Sequence, residues 1–212
     1  MVNKPGRRRR GSKTRLYFAI AGVIVLVVIG AAWYVYASNR PAARSLVHAR
    51  FDTTLGSFEV ELYASATPNT VSNFVSLAQS GFYDNLVWHR IEAFVIQTGD
   101  PTTKNGGGDR NTWGHADSGV PIPFEYNSTL HNYKGYLGMA STAPGAGGAS
   151  QFYINLKDNS ESFDGKYAVF GKVTSGMDVV QAIGNVPVEV VGQQHEPVTP
   201  VYLTSVTILE TR

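Results

Sequence analysis

The chain has 212 residues, enough for one domain of ordinary size and a short appendage. Hydrophobic residues make up 43%, charged residues 16% and aromatics 11%, far from a disordered composition, and the absence of cysteine excludes a disulfide framework, a thiolate metal site and a thiol nucleophile. The net charge of +2 hides a division: residues 1–15 hold seven positive charges and no negative one, whereas residues 49–212 hold nine Lys/Arg against all sixteen Asp/Glu, about −7.

The first segment in chain order is a basic tail, residues 1–15. It is followed by Leu16–Ala37, which carries no charge and would span about 33 Å as a helix. That length matches a ~30 Å hydrocarbon core. Tyr17 at one end and Trp33, Tyr34 and Tyr36 at the other stand where interfacial aromatics belong. The positive-inside rule then keeps residues 1–15 in the cytoplasm and carries the rest across the membrane. The expectation is a single-pass protein of the cell membrane whose folded domain is extracytoplasmic. The alternative is a cleaved signal peptide ending near Val35-Tyr36-Ala37, for which this apolar run is long. Residues 38–48 read as a polar linker, and the folded domain is expected over 49–212.

Within that domain 22 Gly and 10 Pro across the whole chain point to many turns and short strands. Phe58, Val60 and Leu62 alternate with polar residues in a half-buried strand, entered through a hairpin turn at Thr54–Ser57. Thr67-Pro68 reads as an N-cap and first helical position, with Val71, Phe74, Val75 and Ala78 at helical spacing and Gly81 ending the helix. Leu86–Ile91 and Phe94–Thr98 are short β-type runs. Residues 99–120 form a long Gly/Asp/Asn-rich loop. Strands are expected over Gly135–Ala140, Gln151–Leu156, Ala168–Val173 and Val201–Leu209, with a second helix over Ser175–Ile183. Many short strands with two helices give a mainly β domain, an antiparallel sheet closed or nearly closed into a barrel.

Most familiar chemistry is absent. No phosphate loop surrounds Gly106–Gly108, no G-x-S-x-G elbow surrounds any serine, and the five histidines show no metal-ligand spacing. The acidic body lacks the basic face of a nucleic-acid-binding domain. Two segments stand out: Trp88-His89-Arg90-Ile91 with Phe94-Val95-Ile96-Gln97-Thr98-Gly99-Asp100, and Gly138-Met139-Ala140 with Ser150-Gln151-Phe152-Tyr153-Ile154. Together with Phe163–Val173 and the Pro68–Phe74 helix, they resemble the cyclophilin family of peptidyl-prolyl cis–trans isomerases, in the family's order, from about Ala49 to Leu209.

The resemblance implies a closed eight-stranded antiparallel barrel capped by two helices, acting on proline-containing polypeptides without cofactor or metal. By motif position it implies catalytic roles for Arg90, Phe94 and Gln97. It places His89, Val95, Met139, Ala140, Ser141, Gln151, Tyr153, Phe163 and Tyr167 at the substrate. Three positions differ from common members: Ser162 stands where many eukaryotic members have tryptophan, Tyr167 replaces a histidine and Val95 a methionine. The turn at Glu92-Ala93 is one residue shorter than usual, which leaves a weakly catalytic proline-peptide binding module as the alternative function.

Overall fold

The computed structural model describes residues 46–209. The expected membrane segment, Leu16–Ala37, and the basic tail lie outside them. Among the described residues no helix is long and apolar enough to cross a membrane. In chain order the elements are β1 (Leu46–Thr53), β2 (Gly56–Tyr63), α1 (Pro68–Gln79), β3 (Leu86–Val87), β4 (Arg90–Glu92) and β5 (Val95–Thr98). After two 3-10 turns follow β6 (Tyr136–Met139), β7 (Phe152–Asn155), α2 (Ser160–Phe163), β8 (Val169–Ser175), α3 (Met177–Gly184), β9 (Val188–Val191), β10 (Gln194–Pro197) and β11 (Tyr202–Leu209). Strand β1 starts three residues inside the expected linker, because Leu46–His48 pair with Glu61–Tyr63 of β2.

The fold is mainly β, as expected, but the eight-stranded closed barrel is corrected in two respects. Nine strands form one antiparallel sheet in the order β3-β11-β1-β2-β8-β6-β7-β5-β4, with β9 and β10 in a separate two-stranded sheet. The edge strands β3 and β4 do not pair with each other. They are consecutive in the chain and separated only by Trp88-His89, so the backbone itself joins the two edges of the curled sheet. The apolar run Leu86–Ile91 therefore serves two neighbours: Leu86-Val87 pair with β11, and Arg90–Glu92 pair with β5. Between them the Trp88 N–H donates to Val201 O at 2.9 Å.

Alternation of side chains fills the interior. Ala49, Phe51, Phe58, Val60 and Leu62 from β1 and β2 are all buried. Phe152 of β7 lies at the centre, with edge-to-face contacts to Phe51, Phe74, Tyr83, Trp88 and Phe170 at centroid distances of 5.5–6.3 Å. Helix α1 buries Val71, Phe74 and Ala78, and α3 buries Val180 and Ile183.

The start of α1 is not capped by Thr67, whose side chain makes no cap hydrogen bond. Glu125, 55 residues further along, takes that role. Its Oε1 accepts from the Asn69 N–H and Nδ2 at 3.0 and 2.8 Å, and its Oε2 from the Thr70 N–H and Oγ1 at 2.8 and 2.7 Å. A carboxylate at a helix N-terminus also meets the positive end of the dipole. Burial works against its charge, but the donors from Thr70 and Asn69 outweigh it and hold the carboxyl below its usual range. Glu125→Ala strips four donors of their acceptor and should cost about 2 kcal/mol, read as a shift in the urea midpoint.

His89, at the corner between β3 and β4, is wholly buried. Burial pushes its imidazole down to about 4, against the opposing pull of Asp100. The unfolded chain takes up this proton near pH 6.5, the native chain only near pH 4. The stability that comes from keeping His89 neutral is therefore fully present above about pH 6.5 and is lost as the pH drops toward 4, by up to about 3 kcal/mol. The melting temperature of wild type should fall more steeply from pH 7 to pH 5 than that of His89→Gln; parallel slopes would contradict the assignment.

Candidate active site

Four neighbouring strands bring the site together through their register. Arg90 of β4 lies opposite Gln97 of β5, Gln97 opposite Tyr153 of β7, and Tyr153 opposite Gly138 of β6. The next row, Ile91, Ile96, Ile154 and Leu137, is buried in the core. Because side chains alternate, the first row faces away from that core. The sequence loop 92–95 closes as a two-residue turn, Ala93-Phe94, between Glu92 and Val95. The shortened turn thus keeps Arg90 directly across from Gln97.

A cavity of about 170 Å³ opens on this face, lined by Arg90, Val95, Gln97, Ala140, Ser141, Tyr153, Phe163 and Tyr167. All eight are sequence-predicted site residues. The aromatic wall is built from edge-to-face pairs: Tyr153–Phe163 at 5.5 Å, Phe163–Tyr167 at 5.2 Å and Tyr153–Tyr167 at 6.0 Å. Gly138 is required beside it, since a Cβ there would run into the Tyr153 ring. The Tyr153 hydroxyl donates to Asn132 Oδ1 at 2.7 Å, and burial raises its pKa well above the ordinary phenol value. Asn132 in turn donates through its N–H and Nδ2 to Asp164 Oδ1 at 2.9 and 3.0 Å, tying the backbone after Phe163 to the wall.

Arg90 is held, not free. Its Nη1 donates to Gln97 Oε1 at 3.3 Å, and Gln97 Nε2 donates to Gln151 Oε1 at 2.8 Å. Gln151 Nε2 continues to the carbonyls of Gly114 and Ala116 at 2.9 and 2.8 Å. The buried carboxylate of Asp100 accepts from the N–H groups of those same two residues at 2.6 and 3.3 Å. One chain of hydrogen bonds thus connects the guanidinium to the loop that walls a second, adjoining cavity of about 240 Å³. Gln97, Ala140 and Ser141 line both cavities, and Gln151 lines the second.

Three expected site residues stand elsewhere. Phe94 sits in the turn beside the first cavity, not in its wall. Its ring packs edge-on against Phe163 at 6.1 Å, with the Arg90 guanidinium carbon 5.8 Å from its centroid. Met139 is buried and packs in the core. His89 is buried too and lines neither cavity. Met139 points inward because it follows the outward Gly138 on β6, and alternation sends neighbours to opposite faces. His89 lies in the corner between two strands, with its imidazole against Gly114 behind the wall of the second cavity. Asp100, Gly114, Ala116 and Asn132 were not anticipated. Their contacts join segments far apart in sequence, and only the Asp in the Gly99-Asp100 block carried any local signal.

The site needs no ionisation to operate. The guanidinium is permanently charged, the aromatics are neutral, and the polar partners are amides and backbone groups. Such a pocket can seat a small apolar ring beside a fixed cationic donor.

The family model for "Cyclophilin type peptidyl-prolyl cis-trans isomerase/CLD" matches residues 48–208. A peptidyl-prolyl cis-trans isomerase-like 1 of Emericella nidulans is 44% identical over 136 residues, covering 63% of this chain and 79% of the relative. A peptidyl-prolyl cis-trans isomerase of Acinetobacter baylyi is 40% identical over 162 residues, covering 74% of this chain and 82% of the relative. The crystal structure of a cyclophilin type peptidyl-prolyl cis-trans isomerase from Cryptosporidium parvum superposes with a TM-score of 0.67 at 28% identity, covering 79% of this chain and 99% of that one. The same protein, crystallised in the presence of the dipeptide Ala-Pro, superposes with a TM-score of 0.65 at 29% identity, covering 77% and 99%. The chain belongs to the cyclophilin-type peptidyl-prolyl cis–trans isomerase family.

Proposed function

We propose that this isomerase works outside the cytoplasm, held at the cell membrane by Leu16–Ala37, and that Arg90 is its catalytic donor. The observation that carries the catalytic part is the 170 Å³ cavity that Arg90, fixed by Gln97, lines together with Tyr153, Phe163 and Tyr167. Rotation about an X–Pro bond breaks amide resonance, against a barrier of ~20 kcal/mol, so it takes tens to hundreds of seconds unaided. In the twisted amide the prolyl nitrogen regains its lone pair. A guanidinium N–H can donate to that lone pair and cannot do so in either planar form. The interaction is made in the transition state alone, which is the condition for raising kcat.

The other residues divide the remaining work. Val95, Tyr153, Phe163 and Tyr167 hold the proline ring, so that rotation occurs about a fixed ring. Phe94 covers the ring's edge from the turn. Gln97 keeps the guanidinium aimed, and Gln151 with the backbone at Ala140-Ser141 holds the flanking peptide. Shortening ~100 s to milliseconds requires roughly 10⁵-fold, about 7 kcal/mol of differential stabilisation. Arg90→Ala should lower kcat/KM about 100-fold, near 3 kcal/mol, with the urea midpoint nearly unchanged because the side chain lies on the groove. Turnover at the wild-type level in that variant would rule out the assigned role.

The membrane part rests on the uncharged 22-residue span and the seven positive charges before it. Moving those charges across hydrocarbon is disfavoured by ~2.5–3.5 kcal/mol each. Protease added outside intact, wall-stripped cells should release the domain by cutting between residues 38 and 45, while an epitope on residues 1–15 stays protected. A domain that becomes accessible only after membrane lysis would contradict export.

A further inference from the structure

We propose that Glu92, braced by His195, is a positioning residue for the isomerase reaction that fixes the Arg90 guanidinium from the edge not held by Gln97. This inference rests on the reading of Arg90 as the catalytic donor. Glu92 and Arg90 are two apart on β4, so both project from the same face of the strand. The two-residue turn ends the strand directly at Glu92. Glu92 Oε1 lies 3.4 Å from Arg90 Nε, while its Oε2 accepts from His195 Nδ1 at 2.9 Å, the ring nitrogen taken as the protonated one. Only 15% of the Glu92 side chain is exposed, against 31% for Arg90 and 47% for His195.

The guanidinium therefore meets the protein at two edges. Nη1 donates to Gln97 and Nε faces Glu92, and Nη2 has no hydrogen-bond partner among the described residues. A long arginine side chain has much rotamer freedom to lose. Two fixed edges remove that freedom before substrate arrives, so that the remaining N–H groups are presented at one place.

His195 comes from outside the main sheet, on β10 of the β9–β10 hairpin. That hairpin is itself anchored. Arg110 donates through Nε to the buried Glu196 at 2.9 Å, through Nη1 to Glu189 at 2.6 Å and through Nη2 to the Pro197 carbonyl at 3.0 Å. Gln194 Nε2 donates to the Trp113 carbonyl at 2.9 Å. His195 thus reaches Glu92 from a fixed platform, and the small second sheet gains a part in the chemistry of the first.

The test uses the 212-residue chain and an X–Pro peptide. Glu92→Ala should lower kcat about tenfold with KM changed less than twofold, and His195→Ala should lower kcat about threefold. Glu92→Gln, which keeps the side-chain length and an amide oxygen, should recover part of the loss and serves if the alanine variant folds poorly. In an Arg90→Ala background Glu92→Ala should change kcat/KM less than twofold, because its effect passes through Arg90. An undiminished kcat in folded Glu92→Ala, or the same tenfold loss without Arg90, would overturn the proposal. Should wild type show no isomerase activity, the reading of Arg90 fails on its own. The positioning claim is then decided by the Arg90 Nε–H resonance, slow to exchange with water in wild type and fast in Glu92→Ala. Equal exchange in the two would overturn it.

Discussion

Everything at the site depends on one register, that of β4, β5, β7 and β6. The outward row Arg90, Gln97, Tyr153, Gly138 and the inward row Ile91, Ile96, Ile154, Leu137 run side by side across the same four strands. A slip of one residue in any of them would exchange a core residue for a site residue. The four inward residues, all but fully buried, make such a slip costly. The hydrophobic core therefore sets the geometry of the site: burial of the isoleucine and leucine row brings a guanidinium and an aromatic wall to one cavity. Strand length is secondary, since β4 has only three residues and β3 two.

From that row polar contacts spread outward in two directions. Through Gln97 and Gln151 they reach Gly114 and Ala116, which Asp100 clamps from the other side. In the other direction the ion pair of Arg90 with Glu92 leads to His195 and the β9–β10 hairpin. Long loops are ordinarily mobile, yet the segment beside Arg90 is fastened by carbonyls and N–H groups alike. The two cavities are lined by residues of the same network, so a peptide lying across both meets a surface already ordered. Preorganisation of this kind is what an enzyme that makes no covalent bond has to work with.

Much of this was legible in the sequence because the site residues sit in contiguous blocks. His-Arg-Ile with Phe-Val-Ile-Gln, Gly-x-Met-Ala, Ser-Gln-Phe-Tyr and Phe-Asp-Gly-Lys-Tyr each carry the residue type and the order of a cavity wall. The eight cavity-lining residues were all among those named from the motifs. The two helices that pack against the sheet were also legible, since Val71, Phe74 and Ala78, and Val180 and Ile183, keep helical spacing and are buried. Motifs name neighbours without saying which way each faces: Met139 belongs to a groove block yet packs in the core, and His89 is buried behind Gly114 and lines neither cavity. The rest is non-local. Glu125 caps a helix 55 residues upstream, and His195 meets Glu92 across 103 residues. The split of Leu86–Ile91 into two strands follows from two different partners, β11 and β5, and no feature of the run itself marks it. The β9–β10 hairpin escaped notice because Val188 and Val190 are exposed, so its apolar residues do not alternate with a core.

The family assignment and the arrangement at Arg90 together separate two behaviours, turning over an X–Pro bond and merely holding it. Exchange NMR on a short X–Pro peptide with a small fraction of the 212-residue chain present distinguishes them directly. Cis–trans exchange cross-peaks should build up within tens of milliseconds, far faster than the unaided tens to hundreds of seconds. Shifted peptide resonances with no exchange cross-peaks would show binding without isomerisation and contradict the catalytic role given to Arg90.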